Sequence, residues 1–217
     1  AQRDAPPCHR QGSEPKKARI VLSKTQVLVV ANCQGPFIAR ALELLHPGIA
    51  AKSIVVFQAD KTKAAQYNKM IATSDFVFHF NVKPGFFLPA LEARNIRSAV
   101  GDRSKTITNL FFSGLHPDFC YVGGMNQRKP GPFGEYHSRF AITGYKLGLP
   151  AAETAALMGD AGLQEQLGYR DAFQNSIDEL KHRDTELDIR FASVLEPMMK
   201  GGALPMFTFN HPTPWVL

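Results

Sequence analysis

An α/β fold built on a mostly parallel sheet flanked by helices is predicted by three features of the sequence. Strand-like and helix-like segments alternate through the first half of the chain. The first strand is a continuous apolar run, Val27-Leu28-Val29-Val30-Ala31. That run passes into a helix through a small, polar bend, Asn32-Cys33-Gln34-Gly35. Alternation of this kind favours a parallel sheet covered on both faces, and an unbroken apolar strand suits a position buried from both sides.

The elements follow in order. Pro36 suits the first turn of a helix, where its missing N–H costs nothing, and Gly35 permits a sharp bend ahead of it. Residues 53–57 read as a second strand and 62–72 as a helix with a partly apolar side. Residues 75–82 read as a third strand, broken by Pro84-Gly85. A short helix is expected over 86–93 and a fourth strand over 106–112. Residues 113–135 are rich in Gly and Pro, and their aromatic and His content favours an ordered ligand-binding loop. The last third is expected to be helical, over 136–147, 150–158, 163–182 and about 186–200, with a bend at Pro197 and a stop at Gly201-Gly202. A short strand within 204–213 then delivers Asn210 and His211 to a turn.

Composition bounds the rest. The chain has 217 residues, 44% of them hydrophobic and 16 of them Phe, which supports a real core. The domain reading is a basic, mobile arm over 1–24 followed by one α/β domain over 25–217 with a helical last third. The net charge of +6 lies partly in that arm, which reads as a tail rather than a nucleic-acid binder. The remaining excess suits an anionic ligand such as a phosphorylated cofactor. Three cysteines, Cys8, Cys33 and Cys120, are too few and too scattered for a disulfide framework or a zinc site, so no metal and a reducing compartment are expected. The sequence contains no apolar run long enough for an integral membrane segment and no apolar signal core near Ala1. A cytoplasmic location is therefore expected.

Ligands of open α/β sheets bind at the carboxyl ends of the strands, near a reversal of strand order. Four such ends carry chemistry here: Asn32-Cys33-Gln34, His79 with Asn81, Ser113 to Asp118, and Asn210-His211. Their convergence on one edge is the central expectation. Cys33 sits where a nucleophile elbow would place a reactive group, and the positive end of the following helix favours thiolate. The competing reading is an inert, buried cysteine. His211 and His116 are candidate general bases, with Asp118 as a carboxylate able to orient one of them. Asn32, Gln34, Asn81 and Asn210 can donate to an oxyanion or hold a sugar hydroxyl. Tyr136, His137 and Arg139 open a predicted helix whose N-terminus suits a phosphate, against simple surface capping. Lys83, Arg103 and Lys105 flank strand ends and suit a pyrophosphate. His79 reads as a core residue, His46 as a helix-end cap, and His9 and His182 carry no role. The glycines form neither a dinucleotide fingerprint nor a P-loop.

The chain resembles the WcbI-type polysaccharide-biosynthesis family, acetyltransferases of bacterial capsule pathways. The matching pieces are Asn32-Cys33-Gln34, Asn109-Leu110-Phe111-Phe112-Ser113-Gly114 with His116-Pro117-Asp118, Tyr136-His137 with Arg139, and Phe209-Asn210-His211-Pro212-Thr213. Their order and spacing match over 26–213. The resemblance implies an α/β core whose C-terminal helical annex forms a cradle around coenzyme A. It also implies acetyl transfer from acetyl-CoA to a sugar or polysaccharide acceptor, with a partner from a polysaccharide-assembly pathway. On that reading Cys33, His211, His116 and Asp118 are catalytic. Asn32, Gln34, Asn81, Ser113, Tyr136, His137, Arg139 and Asn210 bind the cofactor. The chain departs from the family pattern in three places: Ala31 stands where Gly is usual, Asn81-Val82-Lys83-Pro84 replaces a Gln-Pro, and the sequence stops soon after His211. Two other functions stay open: an acetyl esterase using Cys33 without coenzyme A, and a non-catalytic accessory protein that binds coenzyme A or glycan.

Overall fold

Val27 to Ala31 form the centre of the sheet because every one of them is buried. A computed structural model of the protein describes residues 23–85, 87–124 and 127–213; the arm expected over 1–24 lies, but for its last two residues, outside them. Strand β1 (Thr25–Ala31) alternates its side chains between two cores. Leu28 and Val30 pack with Ile54, Val56, Ile71, Val77, Ile96 and Val100, whereas Val29 and Ala31 pack with Ala39 and Phe80. The period of two along an apolar run therefore feeds both faces. Helix α1 (Gly35–Leu45) carries Pro36 in its first turn, as expected.

Strand β2 (Ile49–Val55) begins and ends earlier than the sequence suggests, because the chain enters a 3₁₀ turn at Val56–Gln58. Helix α2 (Ala64–Thr73) and strand β3 (Phe76–His79) follow. The short helix expected over 86–93 is a correction: Phe86 lies outside the described residues, Pro89–Leu91 is a 3₁₀ turn, and helix α3 spans Ala93–Val100. Strand β4 (Ser104–Thr106) is also shorter than expected. Beyond it the neighbouring β3 has ended, so the extended chain has no ladder to join; Ile107 bridges only to Ile189. The sheet order is β2-β1-β3-β4, with every pair parallel. Helix α1 covers one face, and α2 with α3 the other. Strand order reverses between β1 and β3, so the crevice lies beyond Ala31 and His79.

The second half differs most from expectation. Strands β5 (Phe119–Tyr121) and β6 (Tyr136–Ser138) make an antiparallel ribbon inside the supposed loop and helix. Helix α4 (Arg139–Lys146) starts only after Ser138, whose hydroxyl accepts from the Ala141 N–H at 3.0 Å. Tyr136 and His137 are thus strand residues. Helix α5 (Ala151–Leu157) agrees with expectation. The helix expected over 163–182 is split into α6 (Ala161–Gln166) and α7 (Ala172–Asp184) near Gly168, whose φ of +71° ends the first helix. Helix α8 (Ala192–Lys200) contains Pro197 and starts later than expected. Strands β7 (Met206–Thr208) and β8 (His211–Pro212) form a terminal hairpin with Asn210 in its turn.

A further core locks that hairpin to the sheet edge. Leu110 and Phe112 pack with Ile177 and Leu180 of α7, Leu195 and Met199 of α8, and Met206 of β7. Phe112 is 1% exposed, and its N–H donates to the Phe209 carbonyl at 2.6 Å. Burying a side chain of this size contributes about 1.5–3 kcal/mol. That packing holds the last residues against the carboxyl end of β1.

Candidate active site

The bend after β1 is built by its own polar side chains. The Asn32 carboxamide oxygen accepts from the Gln34 N–H at 2.8 Å, an Asx turn, and Asn32 Nδ2 donates to Asn109 Oδ1 at 3.0 Å. A Cβ at Gly35 would lie 3.3 Å from the Ala31 Cβ, so the first turn of α1 presses on the sheet. Gln34 is buried and fully engaged: Nε2 donates to the carbonyls of Leu110 and Asn210 at 2.8 and 3.0 Å, and Oε1 accepts from the Leu110 N–H at 3.3 Å. It ties three segments together, and both hydrogens of its amide group are spent within the protein. Cys33 stands between these two anchors.

The terminal hairpin brings His211 to that thiol. Cys33 Sγ lies 3.8 Å from His211 Nε2. At the other ring nitrogen, Nδ1 is 2.8 Å from Tyr136 Oη and 3.3 Å from Thr208 Oγ1. Both hydroxyls spend their protons on Asn210 Oδ1, at 2.6 and 3.1 Å. Nδ1 must therefore be the donor toward them, and Nε2 presents its lone pair to the thiol. Asn210 is itself held by Nδ2 donating to Tyr121 Oη at 2.9 Å. Burial, and next the Tyr136 hydroxyl, push the Tyr121 phenol up to about 12, so it stays protonated. The Arg128 guanidinium covers its ring at 3.2 Å from the centroid.

Burial also pushes the half-buried Cys33 thiol up, and this outweighs the backbone hydrogen bond that favours thiolate. The thiolate expected from the helix end is thus corrected: desolvation dominates, and the resting Cys33 is a thiol.

Other candidates sit elsewhere. His116 Nε2 lies 3.2 Å from the Met206 carbonyl and its ring stacks on Phe119, so it braces the hairpin and makes no bond to Cys33. Asp118 reaches no histidine; its Oδ1 accepts from the Phe140 N–H and Tyr169 Oη at 3.1 and 3.3 Å, capping α4. His137 is bound to the Lys129 carbonyl. Ser113, paired with Ser176, and Arg139 line a separate cavity of about 270 Å³ with Tyr169 and Asn175. His79 is a buried core residue, as expected, with Nδ1 at 3.0 Å from the Phe80 carbonyl and its basicity lowered by burial.

Asn32 and Asn81 line the crevice itself, a cleft of about 560 Å³ bounded by Phe57, Phe80, Lys83 and Thr108. His182 and Arg183 of α7, with Glu186 just beyond its end, form the opposite side. Sequence reasoning passed over Thr108, His182, Arg183 and Glu186, because nothing local shows which face of α7 meets the sheet. The cleft suits an anionic, partly apolar ligand. Lys83 and Arg183 supply positive charge, the phenylalanines supply walls, and the buried Thr108 hydroxyl has no hydrogen-bond partner among the described residues. Among the described residues no cluster of three or more His, Cys, Asp or Glu side chains is placed to hold a metal ion, and no helix is long and apolar enough to cross a membrane.

Fold and site together define an α/β protein with a thiol–imidazole pair at a sheet switch point. The family model described as the polysaccharide biosynthesis enzyme WcbI matches residues 26–217, and the chain belongs to that family. The fold is also similar to a solved structure of WcbI, described as a novel polysaccharide biosynthesis enzyme in its native form without a disulfide bond between coenzyme A and a cysteine. The TM-score is 0.72 at 15% identity, covering 88% of this chain and 65% of that one. The chain thus spans less than two thirds of that protein. No curated protein matches the chain.

Proposed function

We propose that the protein is a coenzyme A-dependent acyltransferase that acetylates a sugar hydroxyl during capsular or exopolysaccharide biosynthesis, with Cys33 and His211 as the reacting pair. The observation that carries this reading is the 3.8 Å approach of Cys33 Sγ to a His211 Nε2 whose lone pair is aimed by the Tyr136–Asn210–Thr208 network. Coenzyme A in the description of the WcbI structure supports the choice of donor. When bound, acetyl-CoA supplies an acyl group activated as a thioester. Lys83 would hold a phosphate, Thr108 and Asn32 an amide of the pantetheine arm, and Phe57 and Phe80 its apolar stretches. His211 Nε2 takes the Cys33 proton as the sulfur becomes a nucleophile. As Cys33 takes the acetyl group and the donor's C–S bond breaks, the same nitrogen gives that proton to the departing thiol; as the sugar oxygen takes the acetyl group from Cys33, it accepts the hydroxyl proton and returns it to the released Cys33 sulfur. Tyr136 Oη, accepting from Nδ1–H, holds the ring while it is charged. The reading carries a cytoplasmic location with it, where acetyl-CoA is supplied.

A hydrolase reading rests on the same pair, because His211 is exposed and water can reach it. Intact-mass analysis after incubation with acetyl-CoA tests both. An acetyl group on the wild type, absent from Cys33→Ala, together with a rise in melting temperature on adding coenzyme A, supports the transferase. No response to coenzyme A, with turnover of a model acetyl ester, replaces it by an esterase.

A further inference from the structure

The cleft beside Asn32 holds one carboxylate among its cations, and that carboxylate stands where a ligand's anion would go. Glu186, on the connection between α7 and α8, accepts from Lys83 Nζ at 2.9 Å and from Asn81 Nδ2 at 3.1 Å. Lys83 and Asn81 follow β3 and Glu186 follows α7, so the contact joins two segments that line the crevice. The other strong cation of the cleft is committed to the scaffold. The Arg183 guanidinium donates to the carbonyls of Asn109 and Phe111 at 2.9 and 2.7 Å and pairs with Glu179 at 3.3 Å. Lys83 has no such backbone duty: among the described residues its ammonium group bonds to Glu186 alone. Both side chains of the pair are more than half exposed, at 58% and 59%, and ion pairs of that kind are weak and readily exchanged.

We propose that Glu186 is a built-in stand-in for a ligand phosphate, occupying the Lys83–Asn81 position in the free protein and displaced when a phosphate-bearing ligand enters. The inference rests on the coenzyme A reading above and adds a specificity determinant to it. A ligand with a phosphate at that end exchanges one anion for another on Lys83 and gains a charge-assisted contact. A phosphate-free ligand offers nothing to displace Glu186. The same carboxylate, close by when the ligand leaves, recaptures Lys83 and favours release of spent coenzyme A.

Calorimetric titration of the full chain with coenzyme A and with pantetheine, which lacks the phosphates, tests this in the wild type, Glu186→Gln and Lys83→Met. Glu186→Gln is expected to bind coenzyme A roughly three- to tenfold more tightly, through loss of the competing pair and of carboxylate–phosphate repulsion. Lys83→Met is expected to bind it more weakly by a similar factor, and pantetheine should bind all three proteins alike. Coenzyme A affinity that is unchanged or weaker in Glu186→Gln, or unchanged in Lys83→Met, overturns the stand-in while leaving the coenzyme A reading intact. Tighter pantetheine binding by Glu186→Gln does the same. Absence of coenzyme A binding by all three proteins overturns the coenzyme A reading, and the stand-in with it.

Discussion

Replacing Tyr136 with Phe removes one oxygen from the His211 environment and leaves the ring. That ring packs against Phe119, Tyr121, Phe209 and His211, so the hairpin and ribbon stay docked. Two hydrogen bonds are lost: the 2.8 Å contact with His211 Nδ1 and the 2.6 Å donation to Asn210 Oδ1. Thr208 Oγ1 remains within reach of both, at 3.3 and 3.1 Å, but with longer geometry. The net loss is therefore about 1–2 kcal/mol in holding the ring and its Nδ1–H tautomer, or about a five- to thirtyfold fall in kcat. Tyr136 does not line the cleft, so KM for acetyl-CoA should hardly move. The assay is the loss of thioester absorbance under saturating acetyl-CoA, with a melting curve to confirm folding. A kcat within about twofold of the wild type, a difference below ~0.5 kcal/mol, would refute the claim that Tyr136 fixes the imidazole. A fall in kcat/KM carried wholly by KM would refute it as well.

Two further outcomes follow from the same geometry. Because burial holds the Cys33 thiol above the ordinary range, its alkylation by iodoacetamide should climb about tenfold per pH unit through neutrality and level off only beyond the usual thiol range; a plateau already reached at about pH 6 would reveal a standing thiolate–imidazolium pair instead. Asp118→Ala should cost about 1–2 kcal/mol in a denaturant titration, since the Phe140 N–H and Tyr169 hydroxyl lose their acceptor, with kcat preserved; a collapse of kcat at undiminished stability would restore Asp118 to catalysis.

What the sequence disclosed depended on how local the cause was. The run Val27–Val30 and the proline after Gly35 gave β1 and α1 because burial and helix entry act through adjacent residues. The extended stretch over 107–112 reads as strand because its propensity is real, yet its partner is absent: β3 has already ended, and the chain turns to meet Phe209 and Ile189 instead. The sequence puts the helix start at Tyr136 although Ser138 carries the capping signal, which the aromatic pairing of the ribbon makes plain only in three dimensions. Within the site, Cys33 and His211 stood out as reactive groups at bends. Tyr136 was readable as polar but not as the partner of a histidine 75 positions away. Asp118 misled because a carboxylate near a histidine in sequence can equally serve a helix terminus.

The thiol and the imidazole are separated by 178 positions along the chain. During synthesis from the amino end, β1 and its cysteine leave the ribosome long before the hairpin that carries His211. Until the His211 hairpin docks, the sulfur has no imidazole beside it. The pairing of sulfur and imidazole is consequently gained only once the hairpin that carries His211 has docked.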